Sequence, residues 1–506
     1  MLIFKKRSRP MIRRLLALML PIITSQAAIV GMNFFDTAMS GKYGAADLAG
    51  VAAGSNLWMI VLTSVSGILM AAMPLIANLL GKGGKTEVTA VVRKGLCLGF
   101  AFDVILLSAG ITVVPLLLGN IGLEPKVYDV AIGYLIAIAF GVPAIFASVL
   151  LRSFVDTLGH TTLSMKIFLF ALPVNALLNY CFIFGAFGVP EFGGAGAGIT
   201  TSATYWLILF MYVYNVCRRS PFKEYGIFAF GTSRYETSEK ATGQINNTKS
   251  ISYLEYLRIG IPLGLSIMLE TSVFSITAFL VAKFGTTALA AHQAAVNFST
   301  LIYMVPMGFS MAATILIGYE YGGKNYQAVR DYIKICLEMS CTIGIVYIII
   351  EIFACHQIAA LYSNDVMVTE LVAQLILLAC IWQMGDMLSA PCQGITRGMK
   401  DVNATLIASG IAYWLICLPV LAVRCRDQLL GYDCFQCVGQ LDTDLLLLMW
   451  WEDIDHTVYG AGCTDRMQGG QYQMSGLRCR NSYTDGLEVT HLSDQNDIGI
   501  FTECRS

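Results

Sequence analysis

The chain has 506 residues, of which 56% are hydrophobic and 13% charged, with a net charge of −1 and a mean hydropathy of +0.65. Soluble domains carry about 25% charged residues, so this composition excludes an ordinary soluble protein, and the net charge gives no sign of a basic surface for nucleic acid. The apolar residues come in runs separated by short polar loops. This pattern is typical of an all-α polytopic membrane protein.

Apolar runs long enough to cross a bilayer fill the chain up to residue 423. A helix of about 20 apolar residues spans a hydrocarbon core of about 30 Å, so the second run should be bent or extended. The first series of predicted spans is 14–38, 48–80, 95–118, 131–151, 162–187 and 193–216. A polar loop follows, and the second series is 255–282, 288–320, 333–355, 366–392 and 403–423.

The basic residues favour one side of the membrane. Cytoplasmic loops carry the excess of lysine and arginine. Basic clusters precede the first span and fill the central loop, whereas the alternate loops carry only Lys42, Lys126 and Lys283. We therefore expect the N-terminus and the central loop to be cytoplasmic.

An internal repeat relates the two series. A shift of 241 residues aligns Leu16–Gly81 with Leu257–Gly322 without a gap. A slightly larger shift is expected further on, where Leu151–Asp156 matches Thr396–Asp401. Because each unit holds an even number of spans, the repeats should be parallel, related by an axis along the membrane normal. The matches that carry most weight are Pro21 with Pro262, Asn56 with Asn297, Gly67 with Gly308 and Gly81 with Gly322.

The repeat predicts two six-helix lobes and exposes one anomaly. The predicted units are an N-lobe at 1–216, a cytoplasmic loop at 217–254, a C-lobe at 255–423 and a tail at 424–506. The C-lobe holds about five spans, because the expected twelfth helix is replaced by this polar tail. We interpret the tail as frameshifted or disordered. The alternative is a genuine cytosolic or metal-binding tail, although its one Cys-x-x-Cys motif lacks a second pair.

Five acidic residues interrupt the apolar spans. A carboxylate within a bilayer costs at least about 2.5–3.5 kcal/mol, so such residues usually face a cavity or a partner. Asp36, Glu270 and Asp386 lie near mid-span among polar neighbours, and we expect them to bind protons or cations rather than only a neighbouring helix. Asp103, near a span start, and Glu351, near a span end, could simply reach the interface. Ion binding is coupled to transport if the charged and neutralised forms favour different conformations.

Six motifs, spread over both halves, stand out in the sequence. They are Asp36-Thr-Ala-Met-Ser-Gly41, Leu151-Arg-Ser-Phe-Val-Asp156, Pro173-Val-Asn175-Ala-Leu-Leu-Asn179, Ala290-Ala-His-Gln-Ala-Ala-Val-Asn297, Gly394-Ile-Thr-Arg-Gly398 and Tyr413-Trp-Leu-Ile-Cys-Leu-Pro419. With these motifs the chain resembles, across about residues 10–423, the multidrug and toxic compound extrusion (MATE) family in its NorM-like branch. The resemblance implies twelve helices in two lobes around a V-shaped cleft, and Na⁺- or H⁺-driven export of cationic amphipathic drugs by rocking of the lobes.

The resemblance also implies site residues. Acids in the first, seventh and tenth helices of the family serve as cation or substrate sites, and they correspond to Asp36, Glu270 and Asp386. Asn175 and Asn179 fall on the polar cluster that accompanies the first-helix acid. The three acids are metal ligands only if the coupling ion is Na⁺ rather than H⁺, and no other cofactor is expected.

Two pairs of opposite charge are expected at the cytoplasmic ends of the lobes. Arg152 lies four residues before Asp156, and Arg397 lies four residues before Asp401. We interpret both pairs as structural salt bridges that clamp an inner gate.

Two other function classes fit the sequence less well. A lipid-linked oligosaccharide flippase of the same superfamily would favour basic residues in the cavity to hold pyrophosphate, whereas the buried charges here are acidic. An enzyme would need a cluster such as a histidine pair, and the five histidines are scattered singly. We expect a monomeric transporter in the inner membrane of a bacterium. Its partners would be lipid and small cationic amphipathic substrates, without nucleic acid.

Overall fold

The structure is a computed structural model that describes residues 9–121, 124–228, 251–281, 286–362 and 366–417, together with Pro419. This described part of the chain is helical and holds no β-strand. The helices of the first half are α1 (Arg9–Tyr43), α2 (Ala45–Met70), α3 (Ala72–Lys82), α4 (Lys85–Ile121), α5 (Pro125–Ala139), α6 (Val142–Thr157), α7 (Thr161–Phe184) and α8 (Gly194–Arg218). Those of the second half are α9 (Tyr253–Val281), α10 (Thr286–Gly322), α11 (Tyr326–Ala360), α12 (Val366–Gly398) and α13 (Val402–Ser409), which continues as a π-helix at Gly410–Cys417.

The helices confirm the predicted class of protein. In the described ranges, nine helical stretches are long and apolar enough to cross a membrane, and the bent pair α5–α6 makes a tenth. α2 and α3 meet at Ala71 and together form one crossing of 38 residues, so the second predicted span is extended, as one of its two expected forms. The chain is therefore an all-α polytopic membrane protein. The tail at 424–506, including the place of the missing twelfth helix, lies outside the described residues.

One crossing that the sequence predicts as a single span is broken. α5 and α6 meet at 50° across Phe140 and Gly141. A Cβ atom on Gly141 would lie 2.6 Å from Ser202 Oγ and 2.8 Å from Ser202 Cα, so glycine is needed for α8 to approach this closely. The carbonyl oxygen of Phe140 accepts a hydrogen bond of 2.9 Å from the indole Nε1 of Trp206, also on α8. The break is thus packed and hydrogen-bonded against α8.

The turns between helices repeat with one constant spacing. Gly83 and Lys324, which follow α3 and α10, are 241 residues apart and both have positive φ, 80° and 56°. Gly159 and Lys400, which follow α6 and α12, show the same spacing with φ of 83° and 68°. The backbone hydrogen bonds that close these turns match at the same spacing. Gly84 N donates to Leu79 O, and its counterpart Asn325 N donates to Glu320 O. Likewise His160 N donates to Val155 O, and Asp401 N donates to Thr396 O.

This constant register corrects the larger shift predicted for the later helices. At a spacing of 241 residues, Arg152 corresponds to Gln393 and Asp156 to Arg397. The sequence match of Arg152 with Arg397 is displaced by four residues, which is close to one helical turn of 3.6 residues. A four-residue displacement keeps similar side chains on the same helical face, and this is why the sequence alone favoured the wrong register.

The ends of α3, α10 and α12 form one of the contacts between the two halves, which also pack along α2 and α9 and along α1 and α10. A Cβ atom on Gly322 would lie 2.7 Å from Asn78 Cα, and one on Gly81 would overlap the carbonyl oxygen of Tyr319. Since Gly81 corresponds to Gly322 and Asn78 to Tyr319 in the repeat, the same close contact is made twice. The Asn78 Nδ2 also donates a hydrogen bond of 2.9 Å to Gly398 O across the halves. We call this end of the bundle, which carries the turns at 83–84, 158–160, 323–325 and 399–401, the turn end.

Both described ends of the central linker are attached to the first half. Arg93 Nε donates a hydrogen bond of 2.8 Å to Ile227 O before the undescribed part of the linker, and Lys94 Nζ donates to Ile251 O after it. Tyr256, in the first turn of α9, is fully buried and its hydroxyl donates to a carbonyl of α2. The start of α9 therefore packs as part of the first half.

Candidate cation and substrate site

Asp36 is the centre of a buried polar cluster in the first half. It lies on α1, and its side chain is 6% exposed. Its Oδ1 accepts hydrogen bonds from Asn179 Nδ2 at 2.6 Å and Asn175 Nδ2 at 3.2 Å, both on α7. Its Oδ2 accepts a hydrogen bond of 2.7 Å from Thr201 Oγ1 on α8. The structure therefore brings together the three polar residues that the sequence assigned to this cluster, and adds Thr201.

The position of the cluster follows from three helices. Asp36 lies seven residues before the end of α1, and Thr201 seven residues after the start of α8. At a rise of about 1.5 Å per residue, both lie about 10 Å from the end of the bundle opposite the turn end. Asn175 and Asn179 are four residues apart on α7 and so share one face of that helix. α1 runs from Arg9 to Tyr43, so Asp36 lies nearer to this end of the helix than to its middle, and not near mid-span as the sequence predicted.

The cluster is chemically suited to a monovalent cation. The three donors to Asp36 are neutral, and none of the described basic side chains forms an ion pair with it. The carboxylate charge is therefore solvated by the protein without being cancelled. Asn179 Oδ1 is buried and has no hydrogen-bond partner. Carboxylate and amide oxygens are the ligands that hard cations prefer, and a proton on Asp36 could donate to such an oxygen.

A second group of ionisable side chains lies in the other half. Glu270 on α9 is half-buried, and its Oε1 lies 3.5 Å from the hydroxyl of Tyr303 on α10. Asp386 on α12 is 8% exposed and acts electrostatically on the same Tyr303. Arg397 acts electrostatically on Glu270, while its Nη2 donates a hydrogen bond of 2.9 Å to Gln393 Oε1. Tyr303 is thus close to Glu270 and within electrostatic reach of Asp386.

The expected inner-gate pairs differ in the structure. Arg152 Nε lies 3.4 Å from Asp156 Oδ2, and Asp156 is completely buried. Ser164 Oγ donates a hydrogen bond of 2.6 Å to the other oxygen of Asp156. Arg397 forms no described ion pair with Asp401, which instead precedes the first turn of α13. The reason is the repeat register: Arg397 occupies the position of Asp156, inside the bundle, and so faces Gln393 and Glu270.

Asp156→Asn should destabilise the folded protein strongly. The substitution leaves the Arg152 guanidinium, whose side chain is 12% exposed, without its charge partner, and breaking a buried pair in this way costs about 3–5 kcal/mol. We expect a clear fall in the melting temperature of the purified full chain in detergent. Glu338→Gln is the control, because it disrupts an exposed pair with Lys334 and should change the melting temperature little. Equal melting of Asp156→Asn and wild type would contradict a stabilising role for the pair.

The two remaining membrane acids are both buried. Asp103 is 3% exposed and lies at the nineteenth residue of α4, because this helix begins at Lys85, ten residues before the predicted span. Glu351 is 2% exposed, and its Oε2 accepts a hydrogen bond of 3.2 Å from Cys380 Sγ. Its two oxygens also lie 2.7 and 2.8 Å from the carboxamide of Gln383, whose nitrogen therefore faces Glu351. The sequence left open whether these two acids simply reach the interface; in the structure both are buried among helices.

Three contributors to these clusters were missed at the level of sequence. They are Thr201, Tyr303 and Gln26, whose Oε1 accepts a hydrogen bond of 2.8 Å from Arg152 Nη1. Thr201 stands in a run of three hydroxyl residues, 200–202, within an apolar span, and that run was an available signal. Gln26 ends a run of three polar residues, 24–26, which was a similar signal, whereas Tyr303 has apolar residues on either side. The repeat matches Gln26 to Ile267 and Tyr303 to Leu62, so it gave no signal for either.

The comparisons with known proteins agree with this architecture. The MatE family model matches residues 21–181 and 262–423. A probable multidrug resistance protein NorM of Oceanobacillus iheyensis is 40% identical over 409 residues, covering 81% of this chain and 88% of that protein. A protein of the same description from Bacillus subtilis is 39% identical over 415 residues, covering 82% and 89%.

A solved structure shows the same fold at low sequence identity. The Vibrio cholerae MATE transporter VcmN in its bent form superposes with a TM-score of 0.76 and 15% identity, covering 91% of this chain and 99% of that one. The two segments matched by the family model correspond to the two halves of the repeat. The chain therefore belongs to the MatE family of membrane transporters, in its NorM-like branch.

Proposed function

We propose that this chain is an antiporter that exports cationic amphipathic compounds in exchange for Na⁺ or H⁺. The relatives from Oceanobacillus iheyensis and Bacillus subtilis are described as probable multidrug resistance proteins, and that description supports efflux of several compounds. The cluster at Asp36 is the observation that carries the proposal. An acid with three neutral donors and no described ion pair is available to bind and release a cation.

In this proposal the two halves bind different partners. Asp36, Asn175 and Asn179 hold the coupling ion in the first half, with Thr201 orienting the carboxylate. Glu270 and Asp386 hold a cation or the cationic substrate in the second half, with the Tyr303 hydroxyl beside Glu270. The acidic character of both clusters favours cations over the pyrophosphate of a lipid-linked oligosaccharide. Arg152 with Asp156 and Gln393 with Arg397 are structural supports near the turn end.

Transport would occur by rocking of the halves, which opens and closes the contacts at the turn end. The paired close approaches at Gly81 and Gly322 support this, because two rigid halves that touch through glycine backbones can separate without unfolding. An ion that binds one conformation more tightly shifts the population toward it. We propose further that the turn end is cytoplasmic in a bacterial inner membrane, which the lysines and arginines at this end support, and that the monomer is the functional unit.

Glu270→Gln should abolish gradient-driven efflux if the second-half acids bind the cation. The substitution keeps the side-chain size but removes the charge that a cation needs. We expect ethidium efflux from vesicles carrying the full chain to fall at least tenfold under whichever gradient, Na⁺ or H⁺, drives the wild type. Asp386→Asn should have an effect of the same kind.

Glu370→Gln is the matched control for this experiment. Glu370 lies near the start of α12, the helix that carries Asp386, and its side chain is 58% exposed. It should transport like the wild type. Unchanged efflux in both Glu270→Gln and Asp386→Asn would contradict a role of the second-half acids in cation binding. If Glu370→Gln lowered efflux as much as these two variants, the loss would not be specific to the site.

A further inference from the structure

A cavity on the first half contains an acid that the transport proposal does not use. The cavity has a volume of about 220 Å³ and lies between α4, α6 and α8. Asp103 on α4 forms part of its wall. Asp36, by contrast, lies on α1, and its carboxylate oxygens accept hydrogen bonds from side chains of α7 and α8. The two acids therefore belong to separate sites.

Asp103 lacks the partners that a buried carboxylate normally has. Its side chain is 3% exposed, and its Oδ1 is buried without a hydrogen-bond partner. None of the lysine, arginine or histidine side chains that the structure describes forms an ion pair with it. A buried charge is costly unless it is paired. A cationic ligand in the cavity would supply the missing partner.

The other walls of the cavity are aromatic and apolar. Phe100, Phe146 and Trp206 line it together with Pro143. The indole Nε1 of Trp206 already donates a hydrogen bond to Phe140 O, so this side chain can contact a ligand only through its ring. Aromatic rings attract cations that approach their faces, and quaternary ammonium groups are recognised in this way. A carboxylate beside three aromatic side chains is suited to such a group.

The size and position of the cavity indicate which part of a ligand it holds. Pockets for whole drug-sized molecules measure about 300–1,000 Å³, so this cavity is smaller than that range and fits a head group. Phe100 is 67% exposed and Trp206 49% exposed on the outer surface. In a membrane this surface meets lipid, where the apolar chain of an amphiphile would lie.

We infer that the Asp103 cavity binds the quaternary ammonium head group of a cationic amphiphile whose chain remains in the surrounding lipid. The site selects the positive charge through Asp103 and the head-group shape through the aromatic walls. The further statement that the bound amphiphile is a substrate waiting for export rests on the proposed function. Binding itself does not depend on transport and can be measured without it.

The test is photolabelling of the purified full chain in lipid nanodiscs. The probe is a dodecyl trimethylammonium compound with a diazirine near its head group, and labelled peptides of α4, α6 and α8 are quantified. Asp103→Asn should lower this labelling at least tenfold, while Asp103→Glu, which keeps the charge, should retain most of it. Unlabelled dodecyl trimethylammonium should compete, whereas the neutral analogue with carbon in place of nitrogen should not.

Two outcomes would overturn the inference. One is equal labelling of wild type and Asp103→Asn, and the other is equal competition by the charged and neutral compounds, which would leave only an apolar cavity. Should Asp103→Asn not fold, the competition experiment on the wild type decides alone. The Asp36→Asn variant distinguishes this inference from the proposed function. Its Asp103 cavity is unchanged, so α4 should still be labelled whether or not the variant transports.

Discussion

Asp36→Asn is expected to reduce ion-gradient-driven ethidium efflux at least a hundredfold, while the protein remains folded in the membrane. Asparagine has the same size, and its carbonyl oxygen can still accept the hydrogen bond that Asn179 donates at 2.6 Å. It cannot carry the negative charge that a bound proton or Na⁺ neutralises. Without this charge, ion binding can no longer shift the protein from one conformation to the other. We therefore expect nearly all of the gradient-driven efflux to be lost, and not only a fraction of it.

The control for this variant is Asp129→Asn on α5. Asp129 is exposed and lies close to the start of its helix, so its loss should leave efflux at the wild-type rate. Thermal unfolding of the purified variants shows whether Asp36→Asn is folded. A folded Asp36→Asn protein that exports ethidium at the wild-type rate would contradict the assignment of the coupling ion to this cluster.

Gly81→Ala is expected to lower transport at least tenfold by preventing closure of the turn end. The new Cβ atom would overlap the backbone carbonyl of Tyr319 and lie 2.8 Å from the Gly323 nitrogen. Backbone atoms cannot move aside as the end of a flexible side chain can, so the two halves must separate. Gly322→Ala should have the same effect, because its Cβ atom would meet the backbone of Asn78 at the equivalent place.

The matched control for the glycine variants is Gly110→Ala. Gly110 lies within α4, and nothing lies within 4 Å of a Cβ atom placed there. Separation of the halves is measured with a cysteine at Ala77, which is fully buried on α3. A water-soluble maleimide should label this cysteine faster in Gly81→Ala than in Gly110→Ala. Equal labelling with normal transport would show that the turn end does not need this contact.

The amino-acid pattern determines the class of fold and the principal acids. Runs of apolar residues with few charges specify the membrane crossings. Inserting an acid such as Asp36 within such a run costs enough free energy to indicate a functional site. The four-residue spacing of Asn175 and Asn179 shows only that they share a helical face. Their place beside Asp36 was implied by the family resemblance.

Other features depend on tertiary contacts that a linear pattern does not contain. The break at Gly141 depends on the approach of α8, and the run from 131 to 151 shows no loss of apolar character there. The register of Arg397 was displaced by one turn, since a four-residue slip keeps the same helical face. Asp103 was placed near a span start because α4 extends far beyond its apolar part. In each case the helix was identified correctly and its boundary or neighbour was not.

Exchange of the exported compound for a cation can be measured directly in one experiment. Purified protein is reconstituted into proteoliposomes, and tetraphenylphosphonium movement is followed while a Na⁺ gradient or a proton gradient is imposed separately. One of these gradients should drive tetraphenylphosphonium against its own concentration gradient, and an ionophore that dissipates that gradient should stop the movement. Coupled antiport would be contradicted if a protein that binds tetraphenylphosphonium moved it equally with and without either gradient.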